Sequence, residues 1–199
     1  RTRKLTEFLD RIYFCSKFYA WVNSLIPNKF QQGLVNSMDH PRVVLPFFDV
    51  NNNMFAFQGR AFGKEEPRYI TIKLDENKRR IYGLDRLDVN KKVYVVEGPI
   101  DSLFLPNAIA AAGADLNITL PNAVYILDNE PRNKQIVDKI QQLILKNKKV
   151  CIFPKSLKHK DINDMIMAGM SVAEIQNIID SNTFSKLSAQ QQLNNFKEV

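Results

Sequence analysis

The sequence predicts an α/β fold, and three observations carry that expectation. First, the apolar runs Val93–Val96, Val124–Leu127 and Val150–Phe153 are short, β-prone and unalternated, as expected of strands buried on both faces. Second, each run is followed by a segment with helical character, at about 101–113, 132–146 and 161–168. Strand and helix alternating in this way argue for a parallel sheet of right-handed βαβ units. Third, the pattern changes near residue 92: what precedes it is mixed α+β, rich in hairpins and basic. The expected organisation is therefore a basic mixed α+β segment at 1–92, a parallel βαβ segment at 93–168 and a helical tail at 169–199.

In chain order, Leu5, Phe8, Leu9, Ile12 and Tyr13 form a stripe at helical spacing, which Phe18, Trp21 and Val22 continue. The spacing predicts one or two helices over 4–25, ending near Pro27. Residues 43–49 read as a strand, Asn51-Asn52-Asn53 as a turn and 54–57 as the return strand of a β-hairpin. Gly59 is placed to let the chain bend before Arg60. Residues 68–72 read as another strand, 75–80 as a charged connection and 81–84 as a short apolar segment. Beyond the three buried strands, Ser171 and Glu174 form a capping-box pair that starts a helix running to Ile179. After Asn182 the chain turns to Gln, Asn, Ser and Lys, which suits a terminal helix or frayed chain.

Composition narrows the function classes. Of 199 residues 45% are apolar, enough for a core, and no stretch approaches the ~20 apolar residues of a membrane span. The two cysteines and two histidines are scattered, which excludes a structural zinc site from within this sequence and suits reduced thiols in an intracellular, cytoplasmic setting. Residue 1 is Arg, and the chain reads as a piece of a longer protein. Residues 1–92 carry 17 Lys+Arg against 10 Asp+Glu, whereas 93–199 carry 11 of each, so the whole net charge of +7 lies in the first part. A basic half beside an acid-bearing half suggests a polyanion held by one and processed by the other; ordinary surface charge is the plainer alternative.

The acids have a pattern. Val93–Val96 ends in Glu97, with Asp101 four residues on. Val124–Leu127 ends in Asp128-Asn129-Glu130, and the third strand leads to Lys160-Asp161-Ile162-Asn163-Asp164. The carboxyl ends of strands are where open α/β sheets place ligands. Carboxylates pooled there repel one another unless cations hold them, and an all-oxygen donor set suits Mg²⁺ or Mn²⁺.

In order and spacing, Glu97-Gly-Pro-Ile-Asp101, Asp128-Asn-Glu130 and Lys160-Asp-Ile-Asn-Asp164 resemble the three acidic motifs of the Toprim domain, shared by bacterial-type primases, type IA and II topoisomerases and some nucleases. Arg42-Val-Val-Leu-Pro46, Phe57-Gln-Gly-Arg60, Pro67-Arg-Tyr69 and Ile81-Tyr-Gly-Leu84 resemble the basic subdomain that precedes those motifs in bacterial and phage primases. The likeness spans about residues 40–168, and the Glu-Gly-Pro form is closer to the phage enzymes. Glu130 stands where the second motif usually has Asp, Pro131-Arg132 stands where Pro-Gly or Ala-Gly often follows, and neither a zinc-binding module nor a Walker A motif is present.

The resemblance implies a DNA primase core that makes short RNA primers from ribonucleoside triphosphates on single-stranded DNA, with two or more Mg²⁺ or Mn²⁺ ions. A replicative helicase and a zinc-binding domain are the implied partners. A Toprim nuclease, or a nucleic-acid-binding module with a degenerate site, is the alternative. Glu97, Asp128 and Glu130 would be catalytic, and Glu97, Asp101, Asp128, Glu130 and Asp161 would hold metal, with Asp101 serving either as a ligand or as a helix N-cap. Arg42, Arg60, Arg68, Tyr69, Lys73, Lys78, Arg79 and Lys160 would contact nucleic acid or nucleotide. For Lys78–Arg80 a solvated loop, for Tyr69 a core position and for Lys160 a solvated side chain are the alternatives.

Overall fold

The computed structural model describes residues 8, 10–113, 116 and 118–199. Its described residues divide into two units, one up to Arg79 and one over Arg80–Val199. The first unit contains a strand, β1 (Tyr13–Cys15), two helices, α1 (Phe18–Leu25) and α2 (Gln32–Met38), and three further strands, β2 (Arg42–Phe48), β3 (Met54–Ala61) and β4 (Tyr69–Lys73). In the first unit the four strands form one antiparallel sheet in the order β1-β2-β3-β4.

The expected helix over 4–25 is corrected by β1. Part of its apolar stripe lies outside the described residues, but Tyr13, Phe14 and Cys15 pair with Val44, Val43 and Arg42. Aromatic side chains favour a strand, and pairing with a neighbour overrides local helical spacing. The helix that does form, α1, lays Phe18, Tyr19 and Val22 on Val44, Phe57 and Ile72 of the sheet. Gly59 is not a bend. The β2–β3 register runs unbroken past it, from Phe47–Ala56 to Arg42–Ala61. Its role is close approach: a Cβ there would lie 2.3 Å from the Phe18 ring.

The second unit contains β5 (Val93–Val96), α3 (Pro99–Leu103), β6 (Ala108–Ala110), β7 (Ala123–Ile126), α4 (Lys134–Leu145), β8 (Lys149–Cys151), α5 (Ile162–Met167), α6 (Val172–Ser181), β9 (Thr183–Phe184) and α7 (Lys186–Phe196). The sheet order is β6-β5-β7-β8-β9, parallel except for the last strand. The fold is α/β, as the sequence predicts. The helix expected over 101–113 is corrected to the short α3 and the edge strand β6. Alanine favours helix, but Ala108, Ile109 and Ala110 are all buried against β5, and burial outweighs propensity. The capping box of α6 forms as expected, and the tail is helical because Ala189, Leu193 and Phe196 enter the core of this sheet.

Residues 81–86 fasten onto the second unit. Ile81 joins its core, and Tyr82 bridges to Ala110. Gly83 takes φ +91°, and a Cβ there would meet the Ala108 carbonyl at 2.9 Å. Arg86 stacks on Tyr82, 4.7 Å from the ring centre, and donates to Ser102 Oγ at 3.2 Å. Among the described residues, no helix is long and apolar enough to cross a membrane.

Candidate active site

β5, β7 and β8 are parallel neighbours, so their carboxyl ends share one edge of the sheet. Glu97 follows β5 directly, Asp128 follows β7 by two residues, and the chain leaving β8 reaches Asp161 at the N-cap of α5. Glu97, Asp101, Asp128 and Asp161 line one small recess, floored by Val96, Ile126 and Phe153. Three separate strand ends therefore bring together four of the five acids that the sequence marks as metal ligands.

Backbone hydrogen bonds hold the arrangement. Asp161 accepts from Asp164 N at 2.7 Å, and Asp101 accepts from Asn163 N at 2.9 Å, so both carboxylates bind the start of α5. Asp101 thus caps a helix other than its own, whose N-cap is Gly98. Gly98 leaves room for it: a Cβ would stand 2.7 Å from Asp101 Oδ2. Asn129, which the sequence reading passed over, fastens the incoming loop. Its Nδ2 donates to the carbonyls of Leu157 and His159 at 3.0 Å each, and its backbone N–H donates to Lys160 O at 2.7 Å. An Asn set between two acids at a strand end was the available signal.

The electrostatics are those of a crowded anion cluster. Burial, then the charge of Glu97, raises the Asp128 pKa from 3.8 to about 6; Asp161 and Glu130 add to the rise and Lys160 opposes it. Two lysines supply counter-charge. Lys139 of α4 binds Glu97, and Lys160 lies 3.1 Å from Glu130 and 3.6 Å from Asp128. Burial works against the charge on Lys160, but the two carboxylates outweigh it and raise its pKa. Glu130 also accepts from Asn133 Nδ2 at 3.3 Å. Among the described residues, no three acidic, His or Cys side chains converge closely enough to hold a metal ion as they stand. The donor chemistry nonetheless suits a hard cation: the carboxylates are pooled, one is destabilised by burial and then by its neighbours, and ammonium groups already answer that charge.

The basic residues are distributed less simply. Arg42 is 0% exposed: its Nη1 donates to Pro67 O at 3.0 Å, and its guanidinium lies 5.5 Å from the Phe18 ring centre. Its Nε and Nη2 are buried without a hydrogen-bond partner. Arg42 therefore offers no surface to a nucleic acid. Arg60 is 7% exposed and donates through Nε to Tyr69 Oη at 3.0 Å, while Tyr69 itself is 44% exposed. Arg68 is exposed beside the same ring, 5.9 Å from its centre. Lys73 binds Glu76, Lys78 binds Asp49 at 2.5 Å, and Arg79 is exposed.

No family model matches the chain. It is 33% identical over 195 residues to a DNA primase of Enterobacteria phage T4, a match covering 94% of this chain and 56% of that protein. The chain thus spans little more than half the length of that relative. In fold it is similar to the Aquifex aeolicus primase zinc-binding and RNA polymerase domains, with a TM-score of 0.58, 18% identity and coverage of 87% of this chain and 51% of that one. The RNA polymerase domain of Mycobacterium tuberculosis primase, solved with a double-stranded DNA oligomer bearing an overhang, aligns with a TM-score of 0.61, 13% identity and coverage of 93% and 68%. The Escherichia coli primase catalytic core aligns with a TM-score of 0.57, 18% identity and coverage of 80% and 59%.

Proposed function

We propose that this chain, a relative of the phage and bacterial DNA primases, is a primase catalytic core that joins ribonucleoside triphosphates opposite a single-stranded DNA template. The observation that carries the reading is the recess where β5, β7 and β8 deliver Glu97, Asp128 and Asp161 to one sheet edge. Sequence similarity to the phage primase and fold similarity to bacterial primase cores support it.

The reaction is attack by a sugar 3′-hydroxyl on an α-phosphate, with pyrophosphate leaving, and catalysis rests on positioning and charge neutralisation. Glu97, Asp128, Glu130 and Asp161 would hold two or more Mg²⁺ or Mn²⁺ ions, with Asp101 as a further ligand. Bound there, such ions neutralise phosphate charge and make the attacking hydroxyl more acidic. Glu97 would orient that hydroxyl or take its proton. Lys139 pairs with Glu97 and Lys160 with Glu130 and Asp128, and both lysines would release these carboxylates to a divalent ion. Asn129 keeps the Asp161 loop in register with Asp128. In the first unit, exposed Arg68 and Arg79 would contact phosphate, half-buried Lys73 would add to them, and Tyr69, oriented by Arg60, would offer a face for base stacking. A zinc-binding domain and a replicative helicase are the expected partners, in the cytoplasm of the replicating cell.

The test is synthesis of labelled dinucleotide from ribonucleoside triphosphates on single-stranded DNA with Mg²⁺ or Mn²⁺. Activity should depend on both metal and template. Template cleavage in place of synthesis would overturn the reading, as would near-normal synthesis by Glu97→Gln.

A further inference from the structure

A larger cleft of about 760 Å³ opens beside the acidic recess, on the far side of Glu130. The turn after β7, the loop after β8 and the end of α7 form its walls. Four cations line it: Arg132, Lys134, Lys155 and Lys158. Lys134 is occupied by Asp138 at 2.6 Å, and Arg132 Nε binds the Glu198 carboxylate at 2.9 Å. Lys155 and Lys158 have no carboxylate within ion-pair distance among the described residues, and Lys158 Nζ reaches only the Lys155 carbonyl, at 3.3 Å.

We infer that this cleft binds the phosphodiester backbone of nucleic acid alongside the reaction site. The inference rests on the primase reading for its place in the reaction, and on three observations for its chemistry. Two exposed lysines line the cleft, and among the described residues neither is ion-paired. The loop that carries them is pinned by Asn129 to the turn bearing Asp128 and Glu130, so cations and acids keep a fixed separation. Glu198 already places an anionic oxygen on Arg132, and its own N–H donates to the Pro131 carbonyl at 2.9 Å, so the cleft accepts an anion of the protein's own. A strand whose reacting phosphate lies among the acids must run its neighbouring phosphates over the adjacent surface, and here that surface is cationic. Backbone contacts of this kind add affinity without sequence preference. A free triphosphate offers the same chemistry, and the test separates the two.

The experiment compares the chain with Lys155→Gln/Lys158→Gln and with Glu198→Gln. Anisotropy of labelled single-stranded DNA and of an RNA–DNA duplex is read across a salt series, beside dinucleotide synthesis and the KM for nucleotide. The double variant should bind the nucleic acids about ten-fold more weakly at low salt. Its log–log salt slope on single strands should fall by about 1.4, from two lost contacts at about 0.7 each. Glu198→Gln should bind several-fold more tightly, because Arg132 is released. The nucleotide KM in dinucleotide synthesis should stay unchanged while longer products decline. A raised nucleotide KM with unchanged nucleic-acid affinity would assign the cleft to triphosphate and overturn the inference. So would unchanged affinity and slope in the double variant, whatever its activity. If the unmodified chain makes no dinucleotide, the primase reading fails, and the binding series still decides the cleft.

Discussion

Asp128→Asn should stabilise the protein while abolishing synthesis, and the gain should depend on pH in a defined direction. Asp128 has a native pKa of about 6 against an ordinary 3.8, raised by burial and then by Glu97. The native state therefore holds this proton more tightly than the unfolded chain does. Stability is highest below the unfolded pKa and is lost as pH rises through about 6. About 2 pKa units correspond to roughly 3 kcal/mol at about 1.36 kcal/mol per unit. The side chain is 28% exposed, and screening by water lowers that limit to about 1–2 kcal/mol. The 3.6 Å contact with Lys160, which is half exposed, returns at most about 1 kcal/mol when lost. The expected net gain at pH 7.5 is about 1 kcal/mol, or roughly 2–4 °C in Tm for a chain of this size. Well below its unfolded pKa of 3.8 the aspartate is protonated in both states, and by pH 4 most of the gap between the two proteins should have closed. Thermal and urea melts without divalent ions, from pH 3.5 to 8, read the difference directly. A variant no more stable than the parent at pH 7.5, or a gap of the same size at pH 4, would refute the argument that pooled negative charge destabilises this edge.

Glu97→Gln should abolish dinucleotide synthesis and weaken Mn²⁺ binding in calorimetry while leaving the circular dichroism spectrum unchanged; retained synthesis above about a tenth of normal would remove Glu97 from the chemistry. Gly59→Ala should cost about 1–3 kcal/mol by overpacking, since its Cβ would sit 2.3 Å from a Phe18 ring enclosed by Trp21, Phe30 and Phe57. Phe18→Leu should partly rescue it, and additive losses in a double-mutant cycle would show that the ring is not the obstacle. Arg68→Ala should weaken binding of single-stranded DNA and reduce its salt slope by about 0.7, while Arg79→Ala should do the same only if that loop lies along the strand. Gly83→Ala should destabilise by about 1 kcal/mol or more from its left-handed backbone and the Ala108 carbonyl, and an unchanged melting temperature would contradict that.

What the sequence made legible follows from the physics of each element. β5, β7 and β8 are buried on both faces, so their apolar runs stand out, and an acid at the end of each was readable as a shared edge once the strands were taken as parallel. β6 was hidden because its Ala-Ile-Ala run has helical propensity and only its burial beside β5 makes it a strand. β9 has two residues and no pattern to read. Arg42 was open to inference from register: it lies two residues before Val44, on the face that α1 covers, so alternation alone turns it inward. Lys139 leaves no local trace, because its meeting with Glu97 depends on how α4 packs against the sheet.

Counting charges along the chain misplaces the active electrostatics of this molecule. The first 92 residues hold the entire net charge, yet Arg42 is sealed under α1, Arg60 is spent on Tyr69, and Lys78 is neutralised by Asp49. The cations left open on that unit are fewer than the composition implies. The remaining residues are neutral by count, but their charges are sorted in space. Acids gather at the ends of β5, β7 and β8, and Lys155 and Lys158, without an ion pair among the described residues, line the cleft beside them, with Asn129 joining the two groups. A polyanion crossing that boundary would meet cations that attract its backbone next to carboxylates that repel it until cations bind among them. That polarity makes phosphate contact at the recess conditional on the metal while contact at the cleft is not. Removing divalent ions should therefore suppress catalysis far more than it suppresses nucleic-acid binding.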